Sequence, residues 1–149
     1  MNTCIKCKSA AEKAGEYFGG GYHCAEAVAK AAMEHLGRDP QELVACATAF
    51  GGGYGKTFQE ACGALSGALL VIGHLYGRRE ADQNWDYPAA LAGMIRDEFV
   101  EAYSTTRCID LREKFGPEDQ MDECRKIVRL ISKELLELIE SDAEITAGK

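Results

Sequence analysis

The chain has 149 residues, of which 28% are charged and 46% hydrophobic, as expected for one globular domain. The 24 acidic and 17 basic residues give a net charge of −7, which argues against nucleic acid or an anionic membrane as the main partner. The most apolar stretch, residues 61–76, is shorter than the ~20 residues of a membrane span. The N-terminus shows no export signal, so we expect a cytoplasmic protein.

Helical periodicity recurs along the chain, and no segment has the alternation of β-branched residues that predicts a strand. A first helix is predicted over residues 4–18 and ends at the triplet Gly19-Gly20-Gly21. A second helix is predicted from Tyr22 to Gly37, with a polar stripe opposite an alanine-rich face. That face should pack against the rest of the protein.

The third helix has a clear predicted start. Asp39 suits the N-cap, Pro40 suits the first helical position, and Glu42 stands where a capping box requires it. This helix is predicted to end at Gly51-Gly52-Gly53. The fourth helix, residues 61–75, is apolar or small nearly all round, so we expect it at the centre of the fold.

The C-terminal half is predicted to hold a helix after Pro88, a short segment over residues 108–115, and a loop at Gly116-Pro117. The last helix is predicted over residues 121–140, with apolar positions that step by four, three, four and three residues along one face. These positions are Cys124, Val128, Ile131, Leu135 and Leu138. The spacing predicts that Cys124 points into the core.

Together these elements predict an all-α fold, a single-domain bundle of five to six helices around a buried, glycine-containing central helix. The single domain should span residues 1–149, with an N-terminal helix over residues 1–18 that carries a Cys-x-x-Cys motif. The polar tail, residues 141–149, is expected to fray.

The cysteine content is high for a chain of this length. The seven cysteines are Cys4, Cys7, Cys24, Cys46, Cys62, Cys108 and Cys124. An odd number of cysteines without an export signal argues against a disulfide framework, and in a reducing compartment such residues often serve metal or redox chemistry. Cys24 and Cys62 both lie at predicted helix starts, where the helix dipole favours a thiolate.

Two glycines follow Cys62 on one side of the central helix. Gly63 and Gly67 are four residues apart, so they leave that side without side chains. Glycine inside a helix costs about 1 kcal/mol relative to alanine, which suggests that something approaches closely. The sequence leaves open whether a cofactor or another helix does so.

The motif Cys62-Gly63-Ala64-Leu65-Ser66-Gly67, together with Cys24, Cys108 and Cys124 in that order, resembles the redox-active protein family named for its C_GCAxxG_C_C pattern. The resemblance covers about residues 17–139. It implies that these four cysteines are the redox site, as catalytic residues or metal ligands. We expect them to converge in space, and Gly63 and Gly67 are the candidate cofactor-binding residues by their spacing. The chain also resembles a cysteine-rich helical module of a multihaem cytochrome type, and that cytochrome also holds an iron–sulfur centre.

Four thiolates leave three functions open. They suit an iron–sulfur electron carrier, which we favour, a thiol–disulfide redox protein without metal, or a structural zinc or interaction module. A redox partner protein of unknown identity is implied by the first two, and a homodimer is compatible with the small-residue helices. Since no Cys-x-x-Cys-His sequence is present, no haem is expected.

Several other motifs receive local interpretations. Cys4 and Cys7 have the spacing of a dithiol or of half a metal site, and Cys46 lies among apolar residues that predict core packing. The segment 51–57 lacks the first glycine of a phosphate loop, so no nucleotide is expected, and it should form a turn or a wall of the cysteine site.

The three histidines are not expected to take part in the cysteine site. His23 is set aside because neighbouring residues in a helix do not share a face. We expect His74 in the core and His35 at the surface or an interface. The acidic residues 118–123 should form a solvated helix start.

Overall fold

The computed structural model describes the backbone of residues 4–147 and the side chains of residues 4–142. This part of the chain contains six α-helices and no strand beyond one isolated bridge, which confirms the all-α prediction. The helices are α1 (Ile5–Gly19), α2 (Cys24–His35), α3 (Gln41–Ala47), α4 (Gly63–Tyr76), α5 (Asp86–Tyr103) and α6 (Cys108–Ala147). Among the described helices, none is both long and apolar enough to cross a membrane.

The helices surround one hydrophobic core, and α2 shares its centre with α4. Helix α2 packs against α1, α3, α4 and α6, and its alanine-rich face is buried as predicted. Helix α4 is buried through its first two turns, but Leu69 and Gly73 on its outer side are exposed. The predicted central helix is therefore enclosed on the side that faces α2 and open on the other.

Helix α3 shows where a sequence pattern misled. Asp39 was predicted as the N-cap, but Pro40 holds that position and makes no side-chain cap bond. Asp39 Oδ1 accepts a hydrogen bond from the Gln41 N–H at 3.0 Å, one residue before this cap. The prediction that Cys46 packs in the core is wrong, because this short helix buries only Leu43 and Ala47 and leaves Cys46 exposed.

The prediction that His74 lies in the core is also wrong. His74 is half-buried near the end of α4 and is not among the core residues.

Helix α6 contains a break that the sequence predicts. Gly116 has φ 77° and ψ 162°, a conformation that glycine adopts without steric cost, and Pro117 follows with no N–H to donate. The break separates the short segment that starts at Cys108 from the long C-terminal part that packs against α1. The backbone stays helical to Ala147, and residues 148–149 lie outside the described chain.

Candidate redox site

One cavity of about 400 Å³ is lined by four cysteines that are far apart in the sequence. They are Cys24, Cys62, Cys108 and Cys124. Most of the remaining wall is apolar or aromatic, from Phe18, Tyr22, Phe58, Leu111 and Met121. The structure thus brings together the four residues that the cysteine pattern singled out, while their chemical roles stay predictions.

Three of these cysteines lie at helix N-termini. Cys24 is the first residue of α2, Cys62 is the N-cap of α4, and Cys108 is the first residue of α6. The first N–H groups of a helix have no partner within it, and the helix dipole adds partial positive charge there. Three helix ends therefore place favourable electrostatic potential for thiolates around one cavity.

Backbone pairing holds two of these ends together. The Cys62 N–H donates to the Thr106 carbonyl at 2.7 Å, and the Cys108 N–H donates to the Glu60 carbonyl at 2.8 Å. These bonds flank an isolated antiparallel bridge between Ala61 and Arg107. The loop before α4 is thereby joined to the loop before α6, which explains how cysteines 46 residues apart come to share a site.

The fourth cysteine comes from the long part of α6. Cys124 is half-buried and lines the cavity, whereas Val128 and Ile131 on the same helix face are fully enclosed. The prediction that this face of the helix packs in the core is therefore confirmed for Val128 and Ile131. Cys124, on the same face, borders the cavity instead. Burial and the charges of Cys24 and Cys108 raise the pKa of Cys124 to about 11.

Cys24 and Cys62 form a hydrogen-bonded thiol pair. The bond from Cys62 lowers the pKa of Cys24 well below its ordinary value, helped by His23 and by the Gly52 N–H. The same bond, followed by burial, raises the pKa of Cys62 well above its ordinary value. The arrangement can hold one thiolate, at Cys24, stabilised by the neighbouring protonated thiol of Cys62.

His23 is the main site residue that sequence reasoning missed. It is the N-cap of α2, so its ring is outside the helix and folds back over the first turn, in a capping box with Glu26. His23 Nε2 lies 2.9 Å from the Thr48 carbonyl oxygen. A hydrogen bond to Cys24 is the largest cause of the raised pKa of His23. The Glu three residues after this histidine was the signal that could have placed it at a cap.

Arg112 is a second residue that the sequence did not single out. Its guanidinium carbon lies 3.8 Å from the centroid of the Phe58 ring, and both residues line the cavity. Burial raises the pKa of Cys108, and the positive charge of Arg112 opposes that rise. Since Arg112 follows Cys108 by four residues, helical spacing places both on one face.

The two glycines of the motif have different surroundings. A Cβ on Gly63 would overlap the sulfur of Cys24, and Gly63 also lines the cavity. A Cβ on Gly67 would lie 2.6 Å from the carbonyl oxygen of Ala25, so Gly67 permits close packing of α4 against α2. Helix packing therefore accounts for the position of Gly67, and Gly63 serves both packing and the cavity wall.

The loop before α4 forms part of the cavity wall. Gly52 and Phe58 line the cavity, and the Phe58 N–H donates to the Gly52 carbonyl at 2.8 Å. A Cβ on Gly53 would lie 2.7 Å from the Cβ of Cys108, so this loop passes directly over the start of α6. The segment 51–57 therefore borders the cysteine site, one of the two alternatives that its sequence suggested.

A family model described as "Putative redox-active protein (C_GCAxxG_C_C)" matches residues 22–138. The chain belongs to this family. In the two other comparisons, neither a curated protein nor a solved structure matches this chain.

All four cavity cysteines and the glycine motif lie within the part that matches the C_GCAxxG_C_C family. The family name writes Gly-Cys-Ala-x-x-Gly, whereas this chain has Cys62 before Gly63 and Ala64. Cys4 and Cys7 lie outside the matched residues, on α1 or at its start. Membership of the family thus identifies a redox-active protein, and it leaves the nature of the redox centre to be argued from the site.

Proposed function

We propose that this protein is an electron carrier in which Cys24, Cys62, Cys108 and Cys124 ligate an iron–sulfur cluster. The observation that supports this proposal is the cavity of about 400 Å³ around which all four sulfur-bearing side chains are arranged. A pair of cysteines that only forms a disulfide needs direct contact and no enclosed space. Four cysteines around a cavity match the thiolate set that such clusters require.

The surroundings of the cysteines also fit a cluster. Cluster binding requires deprotonated thiols, and the three helix N-termini and the Gly52 N–H favour negative charge in the cavity. The positive charge of Arg112 acts on both Cys108 and Cys124. Burial, and after it the charge of Cys24, raises the pKa values of Cys108 and Cys124, and these groups oppose that rise.

An iron–sulfur cluster supplies one-electron transfer, and the chain's own residues would set its environment. The aromatic side chains of Phe18, Tyr22 and Phe58 would form part of the apolar wall around the cluster. Backbone N–H donors near the sulfurs are among the features that tune the reduction potential of such sites.

The test is anaerobic purification followed by an absorption spectrum and assays of iron and acid-labile sulfide on the same sample. We expect a broad charge-transfer band and stoichiometric iron and sulfide. Each of Cys24→Ser, Cys62→Ser, Cys108→Ser and Cys124→Ser should lower the iron content severalfold. Cys46→Ser is the matched control because Cys46 is exposed and lies outside the cavity.

A second function, thiol–disulfide exchange, is favoured by one specific observation. Cys24 is in hydrogen-bond contact with Cys62, and its pKa is depressed, as suits an attacking thiolate. In this alternative the Cys24 thiolate attacks a disulfide of a partner, and Cys62 then displaces the partner's thiol, leaving a Cys24–Cys62 disulfide and a reduced partner.

The metal assays separate these functions. A colourless sample without iron or zinc, in which Cys24 and Cys62 become bonded to each other on mild oxidation, contradicts the cluster and supports the exchange reaction. Zinc without iron that is lost in Cys62→Ser contradicts both and indicates a structural metal in the cavity, because zinc carries no electrons. Mapping the disulfide to Cys24 and Cys62 by mass spectrometry completes the comparison.

A further inference from the structure

We infer that the protein has a second metal site, distinct from the four-cysteine cavity, in which Cys4, Cys7, His35 and Glu140 bind a thiophilic divalent cation such as Zn²⁺. The Sγ of Cys7, a ring nitrogen of His35 and a carboxylate oxygen of Glu140 lie within 4.8 Å of one another. These residues come from α1, α2 and α6, so only the folded chain assembles them.

The spacing of these atoms is close to that of zinc ligands. Bonds of ~2.0–2.3 Å to a tetrahedral zinc place ligand atoms about 3.3–3.8 Å apart. His35 Nε2 and Glu140 Oε1 are already 3.0 Å apart, in a hydrogen bond across 105 residues of sequence. A cation would replace the proton that these two atoms share, so small shifts of side chains suffice.

The burial of the cluster argues against a merely superficial contact. Cys7 is completely buried, and the side chain of His35 is 10% exposed, whereas that of Glu140 is 41% exposed. Two inner ligands and a more open carboxylate leave a route from solvent for a cation. Lys6 lines the adjoining cleft with His35, beside the ion pair of Lys13 with Glu34.

Cys4 supplies the fourth ligand. Its sulfur is bonded to that of Cys7 in a disulfide but lies outside the group of three close ligand atoms, so reduction frees a second thiol next to Cys7 that must turn toward His35 and Glu140. Cys4 is also the N-cap of α1, and its Sγ accepts a hydrogen bond from the Cys7 N–H at 3.1 Å.

Metal binding at this site depends on redox state. A thiol or phosphine reductant supplies two electrons, and with two protons the Cys4–Cys7 disulfide becomes two thiols. A cation then displaces both thiol protons as it binds, which gives a Cys₂HisGlu donor set. Oxidation to the disulfide removes both sulfur ligands and releases the cation.

The test is residue-resolved alkylation of the full-length protein, reduced with a phosphine under anaerobic conditions, with and without Zn²⁺. Peptide mapping reports Cys4 and Cys7 separately from the four cavity cysteines, so the result does not depend on what binds in the cavity. We expect Zn²⁺ to slow the alkylation of Cys4, which is less buried than Cys7, at least about tenfold. His35→Gln and Glu140→Gln should each weaken this protection at least about tenfold, since even outer partners of metal ligands contribute that much.

Cys46→Ser is the control variant and should keep full protection, because Cys46 is exposed and lies elsewhere. Equal alkylation of Cys4 with and without Zn²⁺ in the wild-type protein would overturn the inference, whatever the variants do. Protection that persists unchanged in both His35→Gln and Glu140→Gln would also overturn it, since the cation would then be held by the two thiols alone.

Discussion

The thiol of Cys62 donates a hydrogen bond to the sulfur of Cys24, and this one contact shifts the pKa values of the two cysteines in opposite directions. Both residues lie at helix starts and look equivalent in the sequence. The contact gives them different states, because Cys24 becomes the thiolate and Cys62 the donor that stabilises it. Cys108 and Cys124, with raised pKa values, are thiols in the metal-free protein at neutral pH.

The first prediction concerns the order in which the cavity cysteines react. In the reduced, metal-free protein, iodoacetamide should alkylate Cys24 at a much lower pH than Cys124. The thiolate is the nucleophile, the pKa of Cys24 is depressed, and that of Cys124 is raised to about 11. Alkylation rates mapped to each peptide from acid to alkaline pH would measure this order, and equal profiles for the two cysteines would contradict it.

A second prediction follows from the donor role of Cys62. Cys62→Ala removes the hydrogen bond and should raise the pKa of Cys24, so that its alkylation at neutral pH slows about tenfold for each unit of the rise. Cys62→Ser keeps a hydroxyl donor and should preserve more of the reactivity. His23→Gln should also slow alkylation, to a smaller extent, because His23 is the lesser of the two side-chain donors. An unchanged rate in Cys62→Ala would exclude this role.

Local sequence signals predicted the helices but not the arrangement of the cysteines. The glycine triplets, the helix caps and the Gly116-Pro117 break are local features, and they predicted the helices closely. The convergence of the four cysteines was expected only because the sequence resembled a family with the same pattern. No local spacing suggested it, since backbone pairing between the loops that precede α4 and α6 creates it.

The residues that were misjudged depend on tertiary packing or on one-residue shifts of a helix boundary. His23 was treated as part of a helix, yet it is the residue just before α2, and this single position turns its ring toward Cys24. Cys46 has apolar neighbours in sequence, but a seven-residue helix buries only one stripe. The meeting of Cys7, His35 and Glu140 brings together three helices and has no local signature.

The third prediction is a loss of stability at alkaline pH. The pKa of Cys124 is about 11 in the folded protein, against an ordinary value of 9.0. A raised folded pKa contributes stability that is complete below the ordinary value and is lost as the pH rises toward the folded value. The free energy of unfolding should therefore fall between about pH 9 and pH 11. Urea unfolding across this range should show a smaller fall in Cys124→Ser and the wild-type fall in Cys46→Ser.

The last prediction uses two glycines of α4 that differ in their surroundings. A Cβ on Gly67 would lie 2.6 Å from the Ala25 carbonyl oxygen, whereas nothing lies within 4 Å of a Cβ on Gly73. Gly67→Ala should force α4 away from α2 and destabilise the protein by about 1–3 kcal/mol, the usual cost of overpacking. Gly73→Ala should stabilise it by about 0.5–1 kcal/mol, because alanine is the better helix former at an unobstructed position.

Urea unfolding of the two variants measures both effects against the same wild-type protein. The chemical change is identical in each, so the opposite signs isolate the contribution of the α2–α4 contact. Gly67→Ala should also raise the pKa of Cys24, because displacement of α4 moves Cys62 away from it. If the two variants were equally stable, close packing of α4 against α2 would not explain why position 67 is glycine. A role at the cavity would then have to explain it.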